Sequence, residues 1–169
     1  QANGKIYIAG DFDRYNGTDA LRIARLNQNG TLDNTFNTGT GPSNTVYCMV
    51  VQPDGKVIIG GLFSTINGTA SKYIGRFNTD GTLDASFNVG TGAGNYVLGM
   101  ALQSNGKIII TGQFTTYNGN PCNRIARLNS DGSFDNTFNI GTGLENPGTG
   151  VQVTAANKIY IGGLFSTFN

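Results

Sequence analysis

One segment of this chain is written four times. Residues 5–12 return as 56–63, 107–114 and 158–165, at a constant spacing of 51 residues. No insertion or deletion disturbs the register, so the chain divides into repeats 1–51, 52–102 and 103–153, with a partial fourth at 154–169. A unit recurring at such a period is one supersecondary structure that buries its apolar surface mainly against its neighbours. That requirement constrains the fold more than any other signal in the sequence.

Leading into the second repeat, residues 46–52 are strand-sized, and Pro53-Asp54-Gly55 follows. Pro presets φ for the second position of a type I turn and Gly tolerates positive φ, which predicts a hairpin. The next strand, residues 56–63, is apolar at consecutive positions, as expected where both faces are covered. A looser connection over 64–71 contains Asn67-Gly68 and leads to a third strand at 73–78. Thr79-Asp80-Gly81 then turns the chain again. As a three-residue hairpin loop with Gly81 left-handed, it sets Phe77 against Leu83 and Arg76 against Asp84. The same construction sets Arg25 against Asp33 and Arg127 against Asp135. A fourth strand follows, although Leu83 and Phe87, four apart, also suit a short turn of helix.

The resulting expectation is all-β: blades of four antiparallel strands in a β-propeller arrangement, with a β-trefoil as the alternative for three similar units. With 26 glycines, many Asn and Thr and only 12% charged residues, the chain suits short strands joined by tight turns.

The segments Asp54-Gly55-Lys56-Val57-Ile58-Ile59-Gly60-Gly61-Leu62-Phe63 and Ile74-Gly75-Arg76-Phe77-Asn78-Thr79-Asp80-Gly81-Thr82-Leu83-Asp84-Ala85-Ser86-Phe87 carry a resemblance. Together they resemble the delta-60 repeat of bacterial proteins, a propeller-type family patterned on DG-K, G-G-x-F and R-L-N-x-D-G-x-L-D-x-x-F. The resemblance covers essentially the whole chain. It implies a fold and a location more than a reaction, since proteins with such repeats are typically large, secreted or surface-displayed, and without an assigned activity. Departures are mild. Asn3-Gly4 and Asn105-Gly106 replace Asp-Gly in the first turn, and Ala156-Asn157 lacks the Gly, so the pattern does not secure the last repeat's turn.

The order of strands along the chain also predicts an incomplete ring. A second, third and fourth strand come first, then two full sets, then a first and a second strand. Joined end to end, this leaves a surplus strand in a ring of about three blades, below the usual ~4–8. The expectation is therefore part of a longer chain, or several assembling copies, with open sheet faces at both ends. Gln1 matches Gln52 and Gln103 in mid-repeat, so the natural N-terminus and any signal peptide are expected outside these residues.

Charge and composition narrow the function. Eleven Lys and Arg against ten Asp and Glu give a net charge of +1, so no nucleic-acid partner is expected. No apolar run approaches the ~18 residues of a membrane span, so membrane insertion is not expected either. His and Trp are absent, and Cys48 and Cys122 occupy different positions within the repeat, so neither a disulfide nor a metal centre is expected. The Arg–Asp pairs recur in every repeat and read as structural, because a site rarely needs three copies. Gly60-Gly61 is no phosphate cradle, since no strand-loop-helix context surrounds it.

A localised function is expected where the repeats differ. Strand alternation puts the tight first and third turns on one side and the longer second and fourth connections on the other. That second side is the candidate ligand face, with Asp11, Asp13, Arg14, Tyr15 and Asp19 in the first repeat, Lys72 in the second, and Tyr117 and Leu144-Glu145-Asn146-Pro147 in the third. Asp11 and Asp13 are spaced for a shared strand face and suit a calcium site or a carboxylate pair, but a solvated edge is the simpler reading. Tyr15, Tyr117 and Phe168, beside Asn16, Asn118 and Asn169, suit stacking on a sugar; the simpler reading is that they fill space between blades. Asn16-Gly17-Thr18 and Asn67-Gly68-Thr69 match the glycosylation sequon and read more simply as turns.

The leading expectation is a non-catalytic extracellular module for adhesion or assembly in a larger bacterial surface or secreted protein. Its partner would be a protein or glycan at a surface, and no cofactor is expected. The alternatives are a carbohydrate-binding propeller and a fragment of a propeller hydrolase or lyase.

Overall fold

A computed structural model describes residues 3–168. The first repeat gives β1 (Ile6–Ala9), β2 (Arg14–Tyr15), β3 (Thr18–Asp19), β4 (Ile23–Leu26) and, at its end, β5 (Val46–Val51). The second gives β6 (Val57–Gly61), β7 (Thr65–Ile66), β8 (Thr69–Ala70), β9 (Ile74–Phe77) and β10 (Val97–Leu102). The third gives β11 (Ile108–Gly112), β12 (Thr116–Tyr117), β13 (Asn120–Pro121), β14 (Ile125–Leu128) and β15 (Gly148–Val153), and β16 (Ile159–Gly163) follows in the partial fourth. No helix is present among the described residues, so none is long and apolar enough to cross a membrane.

All pairing is antiparallel. Two three-stranded sheets, β5-β6-β9 and β10-β11-β14, lie between two-stranded sheets β1-β4 and β15-β16. The first turn forms as its sequence predicts: the Gly55 amide donates to the Gln52 carbonyl at 2.9 Å, with Gly55 at φ +86°. In the last repeat Asn157 takes that role at φ +58°, so the turn closes without its glycine. The third turn also keeps the predicted register, with Gly81 at φ +90° and Phe77 bridged to Leu83. A bulge that the sequence did not reveal recurs between Val46 and Cys48, Val97 and Gly99, and Gly148 and Gly150.

The fourth strand is the main departure. Where a full fourth strand was expected, each repeat has a single bridging residue: Leu32, Leu83 or Phe134. The cause is local. Asp84 Oδ1 accepts from the Ser86 amide at 3.0 Å and its hydroxyl at 2.6 Å, while the Asp84 carbonyl accepts from the Phe87 amide at 3.2 Å. These bonds curl the chain off the ladder after one pair, and Phe87 turns into the core instead.

The expectation that the second strand is covered on both faces holds in the middle of the chain. Every residue of β6 and β11 is buried. Val57 and Ile59 pack toward the first repeat with Tyr7, Ile23 and Phe36, whereas Ile58 packs toward the third with Met100, Ile108 and Ile110. Ile109 in turn meets Val151, Ile159 and Ile161 of the last sheet. Each fully buried aliphatic side chain contributes about 1.5–3 kcal/mol, so the seams between repeats supply much of the stability.

Candidate functional site

Each repeat buries one carboxylate held by two cations. Asp84 Oδ2 accepts from Arg76 Nε at 2.8 Å and from Lys56 Nζ at 2.8 Å. Asp33 is held by Arg25 at 2.7 Å and Lys5 at 2.8 Å, and Asp135 by Arg127 and Lys107, each at 2.6 Å. The Arg–Asp pairs are those the turn register predicts. The lysine is a third member that sequence reasoning missed, although it stands in every repeat at the start of the second strand. Burial pushes the Asp84 carboxyl upward, yet the hydrogen bonds from Lys56 and Ser86 and the Arg76 charge outweigh it and hold it well below the usual carboxylate range. At Asp33 the hydrogen bond from Lys5 is the largest influence and leads to the same result. A carboxylate ionised and saturated in this way is a poor proton carrier at neutral pH.

The arginines also stitch repeats together. Arg25 Nη1 donates to the Thr79 carbonyl at 2.6 Å, and Arg76 Nη1 to the Ser130 carbonyl at 2.8 Å, each in the third turn of the following repeat. Each guanidinium lies over a phenylalanine ring of its own repeat: Phe36 at 5.0 Å, Phe87 at 4.5 Å and Phe138 at 4.6 Å.

On the other side, the second connection is more ordered than its sequence suggested. Asn67-Gly68 closes a two-residue hairpin between β7 and β8, with both residues at positive φ, 51° and 74°. Asn-Gly was the signal for this turn. The fourth connection docks on the hairpin of the next repeat through the bridges Pro42–Ile66, Ala93–Tyr117 and Leu144–Phe168. Asn67 Oδ1 accepts from the Gly41 amide at 2.8 Å, so this sequon asparagine is engaged in an inter-repeat bond. Glu145 accepts from the Ser166 amide at 2.7 Å, from the Ser166 hydroxyl and from the Thr167 hydroxyl at 2.9 Å, and these bonds lower its pKa to about 2, the Ser166 hydroxyl contributing most.

The candidate ligand residues are brought together only in part. Asp11 and Asp13 lie in the bend between β1 and β2, outside any strand, so the shared strand face assumed for them is not formed. Both are exposed, and Asp13 lies 3.6 Å from Arg22. Arg14 and Asp19 form an exposed pair at 3.0 Å across the β2–β3 hairpin. Tyr15 is half-buried and its hydroxyl donates to the Gly30 carbonyl at 2.7 Å. Tyr117 is fully buried, its hydroxyl donating to the Gly132 carbonyl at 2.8 Å, so its ring is spent in the seam between repeats and offers no stacking surface. Phe168 is 58% exposed; Asn169, paired with it in the sugar-stacking reading, lies outside the described residues. No group of three or more Cys, Asp or Glu side chains gathers in metal-binding geometry among the described residues. Cys48 and Cys122 are free thiols, and burial pushes both up to about 12.

No curated protein matches the chain. A family model described as "Domain of unknown function (DUF5122) beta-propeller" matches residues 1–36, 52–87 and 103–138. Each match begins at the Gln position and runs through the curled fourth segment, stopping where the variable connection starts. With more than half of its residues matched, and with the turn register, the buried carboxylate and the seam repeated in step, the chain belongs to the DUF5122 β-propeller family.

Proposed function

We propose that this chain is a non-catalytic structural and interaction module, an adhesion or assembly scaffold within a larger secreted or surface-displayed bacterial protein. One observation carries the reading: the charged groups that recur in every repeat are consumed in holding the repeat and its seam. Exposed variation is left to the second and fourth connections, where Asp11, Asp13, Arg14 and Lys72 stand in solvent. The extracellular location and bacterial source follow from the resemblance to delta-60 repeats. A protein or glycan at a surface is the partner class, with neither nucleic acid nor membrane insertion, because the net charge is close to zero and no helix among the described residues is long and apolar enough to cross a membrane.

A glycan array and a pull-down from surface extracts, both with the intact chain, test the proposal. Specific retention that weakens in an Arg14→Ala/Lys72→Ala variant of unchanged thermal midpoint is the expected result. A chain that engages no macromolecule in either format removes it, and turnover of a polysaccharide by the wild-type chain would favour a hydrolase or lyase instead.

A further inference from the structure

Two tyrosines on the variable side are used differently from Tyr15 and Tyr117. Tyr73 ends the second connection, just before β9, and Tyr96 ends the fourth, just before β10. The Tyr73 amide donates to the Phe63 carbonyl at 2.9 Å, and the Tyr96 carbonyl accepts from the Gln113 amide at 2.9 Å, so backbone bonds fix one ring on each side of the seam between the two three-stranded sheets. The rings meet edge to face, with centroids 5.4 Å apart and planes at 72°. Both residues are half-buried, and Tyr73 packs against the buried cluster that holds Ile108 and Ile110. The pair belongs to this seam alone. A shift of 51 puts Arg22 and Thr45 at the preceding seam and Arg124 and Pro147 at the following one. There the arginine holds the fourth connection, Arg22 Nη1 donating to the Pro42 carbonyl at 3.2 Å and Arg124 Nη1 to the Leu144 carbonyl at 2.9 Å. Arg22, Tyr73 and Arg124 share a left-handed backbone, at φ 62°, 66° and 64°, so the local conformation does not call for tyrosine. Hydrogen bonding does not call for it either: the Tyr15 and Tyr117 hydroxyls donate to backbone carbonyls, whereas those of Tyr73 and Tyr96 have no partner among the described residues.

The neighbours of the pair are almost uncharged. Residues 62–73 and 88–98 contain a single charged side chain, the exposed Lys72, whereas residues 11–22 alone contain five. Asn95 Oδ1 accepts from the Tyr96 amide at 2.8 Å, which leaves Asn95 Nδ2 without a partner among the described residues. Gln113, bonded to Tyr96 through its backbone, is exposed. Two aromatic surfaces, two unengaged phenol hydroxyls and neutral amides match the chemistry of a sugar ring. The weakly positive C–H face of a pyranose meets the electron-rich face of an aromatic ring, and its hydroxyls exchange hydrogen bonds with uncharged donors and acceptors. We propose that Tyr73 and Tyr96 form a binding site for a neutral pyranose glycan, with Asn95 and Gln113 as its hydrogen-bonding neighbours. This inference rests on the interaction-module reading above and narrows its partner to a saccharide held at one seam.

An array of neutral oligosaccharides tests the site, probed with the intact chain and with a Tyr73→Arg/Tyr96→Thr variant. The first repeat already holds Arg and Thr at these positions, so the fold accepts them and the thermal midpoint should stay close to the parent's. Retention of a glycan by the parent is expected, weakened about tenfold or more in the variant. Tyr96→Ala, which leaves Tyr73 packed on its cluster, should act in the same direction and serves where the double variant is unstable. The chain has no Trp, so its fluorescence is that of tyrosine, and the retained glycan should alter it in the parent and not in the variants. No retention on the array, or retention equal in the parent and the variants, would overturn the site. The two readings fail separately: a chain that captures a protein but no glycan loses this site and keeps the interaction module, and one that captures neither loses both.

Discussion

The buried aspartate is the residue on which each repeat turns. Replacing Asp84 with Asn leaves Arg76 and Lys56 facing a neutral amide in a site only 7% exposed, and should cost about 3 kcal/mol in urea unfolding. Asp54→Asn, in an exposed turn, should cost far less. The same carboxylates set the acid limit. Their folded values lie below the ordinary 3.8, so the unfolded chain takes up the protons first. Their contribution is complete above about pH 4 and is lost as pH falls below it, so thermal midpoints should be flat at neutral pH and drop steeply on acidification. Thr111 offers a test of opposite sign. Its hydroxyl is fully buried without a hydrogen-bond partner, between Gly99 and Gly148 of neighbouring first strands. Thr111→Val keeps the shape and removes the unsatisfied group, and should stabilise the chain by about 1 kcal/mol in the same assay.

At the scale of the element, the second strand ends where it does because another backbone crosses it. A Cβ at Gly61 would come within 2.2 Å of the Thr45 carbonyl oxygen, beside the bulge at Val46. Gly61→Ala should therefore cost about 2–3 kcal/mol, read from denaturant midpoints, whereas Gly68→Ala meets no atom within 4 Å and carries only the strain of its positive φ. These elements also show how far the sequence reaches. The first and third turns were legible because Pro, Asp and Gly act through their own backbone preferences, and a three-residue loop dictates which side chains stand opposite, so Arg76 met Asp84 as expected. Lys56 as second cation was not legible, because its reach of 28 residues to Asp84 depends on how β6 lies beside the curled segment. The shrunken fourth strand was hidden by competition between Asp84–Ser86 hydrogen bonds and the ladder, which apolar spacing does not register. For Tyr117 the sequence left two readings, a sugar platform and a space-filler between blades, because an aromatic ring beside Asn looks alike in both; burial separates them, and Tyr117 is fully buried.

For the molecule as a whole, order should grade from the ends inward. β6 and β11 are fully buried between two strands each, while among the described residues β1 and β16 each pair with one strand and are partly exposed, so amide hydrogen exchange should be slowest in the inner pair and faster in β1 and β16. Near-uniform protection across all four strands would contradict this gradient. Removing residues 52–102, one full period, should give a chain that still folds, with a lower thermal midpoint because one seam of buried side chains is gone. The reason lies in the arginine that reaches 54 positions ahead to a turn carbonyl, from Arg25 to Thr79 and again from Arg76 to Ser130. Since the acceptor is peptide oxygen, the join is indifferent to which side chain stands there. A gene encoding such a chain can thus gain or shed whole periods by unequal recombination while every junction that remains finds its hydrogen bond, leaving lineages free to change length without reinventing the joint.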